Sequence, residues 1–367
     1  MTKRIAYKWR IMFYMSIVYV SINSFLFLQY SIHHIRSEYL QQSDKYDAYK
    51  LNHVLSQDSN CFSHYGKNAE EDIQRVLKIK ISNETELILQ NLGYPPTKIV
   101  NRKYELPILK DNGETPEIPV FVTAVSSNHY RELQALIYNI DRVPRQHYPH
   151  LKLIVYNIGL EPEELVMTKI RCNCEVRKFN FKKYPRHVRI MATRAWKPII
   201  IQEILNEFGF AMYMDASIRF RRPNLDDVFM LTREIGHMFL ESVPLRKNLL
   251  PNHTHAKTFE YFDVNPCLFH ERHEIQSGFV LMTRNNVYSN VIMKAWLSCC
   301  LQEQCVLPTG ANWGVCNRSS LVYHKCHRPD QSPLGITVHL LYHPPDTIPY
   351  IPPDVYVIRR DEVFNYF

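Results

Sequence analysis

Short apolar runs alternate with amphipathic stretches along the chain from Ile118 onward. Val120–Val125 and Leu151–Tyr156 have the length and β-branched character of buried strands. Between them, Leu133, Leu136, Ile137 and Ile140 recur at helical spacing within Asn128–Ile140. Glu161–Ile170 predicts a second helix and Glu175–Phe181 a third, more alternating strand. Pro198–Phe208 predicts another helix, and Phe210–Met214 an apolar strand that ends in Asp215-Ala216-Ser217. This strand–helix alternation predicts an α/β domain, a mostly parallel sheet with helices on its faces. The roughly 250 residues after Ile118 suffice for a single core of that kind.

Upstream the pattern differs. Residues 1–10 carry Lys3, Arg4, Lys8 and Arg10 and no acid, and residues 11–32 contain no ionised side chain. That length spans a bilayer core of about 30 Å as a helix, and the basic flank favours a cytoplasmic amino terminus. No A-x-A-like cleavage site follows, so the segment reads as an uncleaved type II signal-anchor rather than a signal peptide. Residues 33–117 read as a lumenal stem and small helical region: polar and Tyr-rich at first, with one or two short helices between Glu70 and Leu92, then a linker punctuated by Pro95, Pro96, Pro107 and Pro116 and, just beyond, Pro119.

The compartment follows from residues beyond the anchor. All nine cysteines lie on its carboxyl-terminal side, and so do three sequons, at Asn83, Asn252 and Asn317. The combination fits N-glycosylation and disulfide formation in a secretory lumen, in the endoplasmic reticulum or Golgi membrane system. An odd cysteine count leaves at least one thiol free or paired between chains. Of the formal net charge of +8, four charges sit in the first ten residues, and no basic stripe suggests nucleic acid.

Candidate chemistry clusters at strand ends. In a doubly wound sheet, an Asp at the carboxyl end of a buried strand stands beside the ligand crevice. Asp215 is therefore either a divalent-cation ligand or a turn residue, with Ser217 on the same side two positions on. Ser126-Ser127-Asn128 ends the first strand and either faces a phosphate or caps a helix. Gln276-Ser277-Gly278 is either a close backbone approach to a ligand or a plain turn. Asp330 and Gln331, within His327-Arg328-Pro329-Asp330-Gln331-Ser332, are either substrate hydrogen-bonders or a helix cap. His324, His327, His339 and His343 supply candidates for a further metal ligand. No G-x-G-x-x-G, G-x-x-x-x-G-K-S/T, G-x-S-x-G or H-E-x-x-H occurs, which argues against dinucleotide, P-loop, serine-hydrolase and zincin chemistry.

The order of anchor, stem, α/β half, Asp-tipped strand, Ser-Gly strand, Asp-Gln segment and late His resembles the GT-A fold of Golgi glycosyltransferases. Its Ser-Gly and Asp-Gln pieces look most like the glycogenin-type retaining branch. Arg194-Ala195-Trp196-Lys197-Pro198, Met214 to Phe220 and His327 to Ser332 are also similar to an invertebrate-rich family of uncharacterised type II membrane proteins. The resemblance covers roughly Ile118 to Tyr342 and implies a catalytic domain over residues 118–367. It implies a nucleotide-sugar donor, a glycan or glycoconjugate acceptor, and Mn²⁺ or Mg²⁺ held by Asp215, Ser217 and a late His, either His339 or His343. Arg194 and Lys197 would meet the diphosphate, Ser126 and Gln276-Ser277-Gly278 the donor, and Asp330 and Gln331 the reacting carbon. Asp330 or Glu241 would serve as base if configuration inverts. Ser217 departs from the family's second Asp, and an inactive GT-A-like domain that binds glycans or partners is the alternative.

Overall fold

The structure is a computed structural model. It describes residues 68–367 apart from residues 108, 110–112, 114, 243–247, 313–325, 343–346, 361 and 364. The anchor expected over 11–32 lies outside the described residues, as do Asn317 and His343. Among the described residues no helix is long and apolar enough to cross a membrane.

Two helices, α1 (Ala69–Leu77) and α2 (Asn83–Asn91), come first. Asn68 and Ser82 cap them by accepting from Glu71 N and Thr85 N. The α/β series then runs β1 (Val120–Ser126), α3 (Tyr130–Arg142), β2 (Leu153–Gly159), α4 (Pro162–Arg171), β3 (Glu175–Lys178), α5 (Trp196–Phe208) and β4 (Phe210–Met214). It continues with β5 (Ile218–Phe220), α6 (Asp226–Ile235), β6 (His237–Glu241), β7 (Ile275–Thr283), α7 (Val287–Cys300), α8 (Gln331–Leu341) and β8 (Tyr356–Ile358). The expected elements are present with ends shifted by a few residues. Gly209, with φ of 78°, terminates α5 in the left-handed region and turns the chain directly into β4.

The central sheet has six strands in the order β3-β2-β1-β4-β7-β6. The ladders β1/β2, β2/β3 and β1/β4 are parallel, whereas β7 runs antiparallel to both β4 and β6. Strand order therefore reverses between β1 and β4, where an open α/β sheet forms its ligand crevice. β5 and β8 form a separate antiparallel pair.

Alternation along β1 sends Val120, Val122 and Ala124 into one core and Phe121 and Val125 into the other. The first core is filled by α5, α7 and α8, the second by α3 and α6. Burial on both faces explains why these strands read as unbroken apolar runs. Ile73, Val76, Leu89, Leu92, Tyr94 and Leu109, from the region expected as stem and small helices, share the first core with Ile199 and Trp296. Residues 275–283 form one continuous strand, so Gln276-Ser277-Gly278 lies within β7 and is not a turn.

Candidate active site

The register places the site. β4 pairs with β1 as Val122↔Tyr213 and with β7 as Met214↔Phe279. Asp215, one residue past β4, donates its N–H to Gly278 O at 2.8 Å. A cavity of about 670 Å³ opens there, over the carboxyl ends of β1 and β4. Its walls include Ser126, Arg194, Lys197, Asp215, Ser217, Gln276, Ser277, Gly278, Asp330 and Gln331. Residues separated by more than two hundred positions in the chain thus meet in one hollow.

At its floor lies Lys197, only 1% exposed, on the first turn of α5. Its ammonium stands 3.1 Å from Asp215 Oδ1 and 3.3 Å from Asp330 Oδ2. It also donates to Ser277 Oγ at 3.1 Å and Ser277 O at 3.2 Å, and sits 5.2 Å from the Tyr213 ring centre. Ser277 Oγ donates a very short hydrogen bond to Asp330 Oδ2. Burial of Asp330 would by itself raise its pKa, but the charges of Lys197 and Arg194 and the Ser277 hydroxyl outweigh it and hold the carboxyl below its usual range. Trp296, fully buried in α7, donates Nε1–H to the Asp330 carbonyl at 2.9 Å and fixes the start of α8. Tyr213, whose phenol is pushed up by burial and by Asp215, donates to Asp215 Oδ1 at 3.1 Å.

This network alters the role expected for Lys197. With four protein oxygens around its ammonium and almost no exposure, it organises the two carboxylates from the cavity floor. Arg194 and Arg360 are the exposed cations of the cavity wall. Arg194 holds φ of 52°, uncommon for a residue with a Cβ, where the chain turns into α5. Gln276 lines the cavity, with its amide Nε2 tied to Glu241 O at 3.2 Å. Glu241 itself is exposed at the end of β6 and is not among the cavity's lining residues.

His339 is not brought to Asp215. It lies 2% exposed inside the buried helix α8, and its Nε2 donates to His273 O at 2.6 Å. His327 does line the cavity, but both ring nitrogens are engaged, by His255 N at 3.2 Å and Val306 O at 2.9 Å. Burial lowers its pKa to about 4, so it is neutral at pH 7. Of the expected glycan acceptors, Asn252 is 4% exposed, whereas Asn83 is exposed at the first turn of α2. Sequence reasoning missed Glu132, His129, Ile158 and Arg360 on the wall. They carry no motif and reach the cavity only through the topology.

The donor set bears on a divalent cation. Asp215 Oδ2 makes no hydrogen bond to a described residue, and a Cβ built at Gly278 would stand 2.9 Å from it. The glycine thus leaves an open carboxylate oxygen on the cavity side. Among the described residues no cluster of three His, Cys, Asp or Glu could hold an ion alone. One free carboxylate oxygen fits an ion shared with a substrate diphosphate, since Mg²⁺-type sites commonly use one or two carboxylates plus phosphates and waters. It does not fit a preformed protein cage.

A family model described as "Protein of unknown function (DUF1647)" matches residues 73–202. No curated protein sequence matches the chain. Among solved structures, a WbbM bifunctional glycosyltransferase is similar at 10% identity and a TM-score of 0.40, over 72% of this chain and 44% of that one. The chain therefore spans less than half the length of that relative. The mannosyltransferase Ktr4p from S. cerevisiae in complex with GDP is similar at 10% identity and a TM-score of 0.40, over 80% of this chain and 86% of that one. Core-mannan synthase A from Aspergillus fumigatus, in an Mn/GDP form, follows at 11% identity and 0.36, over 72% and 87%.

Proposed function

We propose that this chain transfers a sugar from a nucleotide-sugar donor to a glycan or glycoconjugate acceptor. One observation carries the reading: a buried ammonium ties Asp215, Ser277 and Asp330 together at the switch point of the sheet, under a large polar cavity with exposed arginines. Such a floor is a fixed electrostatic frame, and pre-oriented charge is the commonest large contribution to stabilising a developing leaving group. Arg194 and Arg360 would neutralise the departing nucleoside diphosphate. A divalent cation, held by Asp215 Oδ2 and the diphosphate, would supply Lewis-acid charge neutralisation there. Asp330, buried and held ionised, is a poor proton acceptor, so it serves as an anchor and not as a general base. Gln331, half-buried on the cavity wall, would meet the reacting sugar.

A secretory lumen is the proposed setting, with the 11–32 segment as anchor. The disulfides Cys172–Cys174 and Cys299–Cys305, and the bonded state of Cys267 and Cys326, support an oxidising compartment. Cys300 is the buried free thiol among the described residues. Ser217, where a second carboxylate would strengthen a cation site, favours a second reading as a donor-binding domain without turnover.

The test is a thermal-shift screen of the chain against UDP- and GDP-sugars, with and without Mn²⁺, followed by donor hydrolysis and transfer assays. Binding raises stability by mass action. A shift with one donor that Asp215→Ala removes supports the site; turnover of that donor separates transfer from binding alone. No shift and no turnover with any donor overturns both readings.

A further inference from the structure

One buried acid outside the Lys197 network reaches toward Gln331. Glu274 is 3% exposed and precedes β7. Its Oε2 lies 2.9 Å from His253 Nδ1 and 3.2 Å from Arg328 Nε. Arg328, a quarter exposed and on the cavity wall, donates from Nη1 to Gln331 Oε1 at 3.0 Å. Gln331 Nε2 in turn points to Ile275 O at 3.4 Å. Backbone bonds brace the same unit: Arg328 N donates to His253 O at 3.0 Å, and Ser332 Oγ to the same carbonyl at 2.8 Å.

A glutamine amide has two nearly isosteric orientations, and its partners decide between them. Arg328 has only donors, so it selects the orientation in which Gln331 Oε1 faces the guanidinium. Arg328 is held by a carboxylate that is itself almost wholly buried. A buried acid is retained at a cost unless paired, and here its two partners are His253 and Arg328. We propose that Glu274 is a positioning residue that, acting through Arg328, fixes the Gln331 amide for the sugar-transfer step. The inference rests on the proposed transfer reaction and adds to it a dependency that the Lys197 network does not contain.

The experiment is a double-mutant cycle in the full chain. Glu274→Gln and Arg328→Lys are each combined with Gln331→Ala. Turnover is followed by hydrolysis or transfer of the UDP- and GDP-sugar panel, and affinity by calorimetric titration with UDP and GDP. Misplacing a reacting group by an ångström costs up to about 100-fold. Glu274→Gln and Arg328→Lys are expected to lower kcat roughly 10- to 100-fold, with UDP or GDP affinity changed less than about twofold. Each should add less than about twofold once Gln331 is alanine, because coupled residues are not additive. Equal losses in both backgrounds, or losses confined to nucleotide affinity, overturn the positioning role in an enzyme that otherwise works. A wild-type chain inert toward every donor overturns the transfer reading, and the positioning role with it. If Glu274→Gln fails to fold, Arg328→Lys at its partly exposed position decides the matter by the same comparison.

Discussion

Replacing Lys197 with Met tests the core of the site most sharply. The substitution keeps the length of an unbranched side chain but removes the charge that lies 3.3 Å from Asp330. Breaking a buried ion pair by deleting one partner costs about 3–5 kcal/mol, since the remaining charge stays buried without compensation. Nearly all of this falls on Asp330, whose side chain is 4% exposed. Asp215, at 39%, is screened by water and contributes little. Against a total stability of about 5–15 kcal/mol, the loss is large but survivable.

Its pH dependence is the diagnostic part. In the wild type the Asp330 pKa is lowered, so its contribution is present above the unfolded value of about 3.9 and is lost as pH falls through the folded value. Without Lys197, burial dominates and the folded pKa rises above the unfolded one. The mutant then pays a penalty that is absent below the unfolded value and grows as pH rises toward the new folded value, by at most about 1.4 kcal/mol per pH unit. The gap between wild type and Lys197→Met should therefore be small near pH 4 and widen to a melting-temperature difference on the order of 10 °C at pH 7. Thermal melts from pH 4 to 7.5 measure it, with Lys197→Met/Asp330→Asn as the control that removes the stranded charge. A gap that is flat across this range, or a double mutant no more stable than Lys197→Met at pH 7, would refute the reasoning.

Two further outcomes follow from the geometry. Gly278→Ala places a methyl 2.9 Å from Asp215 Oδ2, so the carboxylate must swing away; donor-induced thermal shift should fall several-fold while the melting temperature of the free protein changes by only a few degrees, and an unchanged donor response would show that Oδ2 is not used. In protein made in a eukaryotic host, peptide mass mapping should find a glycan on exposed Asn83 and none on Asn252, which is 4% exposed; a glycan on Asn252 would show that this segment is open when the glycan is attached.

The strands and helices were legible because each declares its own period. Phe210–Met214 is apolar throughout since both faces of β4 are buried, and Asn128–Ile140 shows a single apolar face because only one side of α3 meets the sheet. Asp215 was legible for the same reason: the apolar run stops where the crevice begins. The packing of α1 and α2 was not, because an amphipathic helix carries the same pattern whether it packs on the main core or on a separate one. His339 misled for a geometric reason. It follows Gln331 by eight residues, about 12 Å along the helix axis, which carries it from the cavity wall into the buried middle of α8.

Lys197 is the most instructive residue. The resemblance offered it as a group for a diphosphate; lysine is almost never fully buried unless paired, and at 1% exposure this one is paired. Its actual partners come from β4, β7 and the start of α8, up to 133 positions away, and only the antiparallel insertion of β7 beside β4 brings them together. Local pattern carries no information on that pairing. The same insertion sets Gly278 against Asp215 and Ile275 against Gln331, so a single long-range ladder positions both the charged floor and the amide at its edge. Any change that shifts the β4/β7 register would therefore disable the two together, although neither residue's own sequence context would be altered.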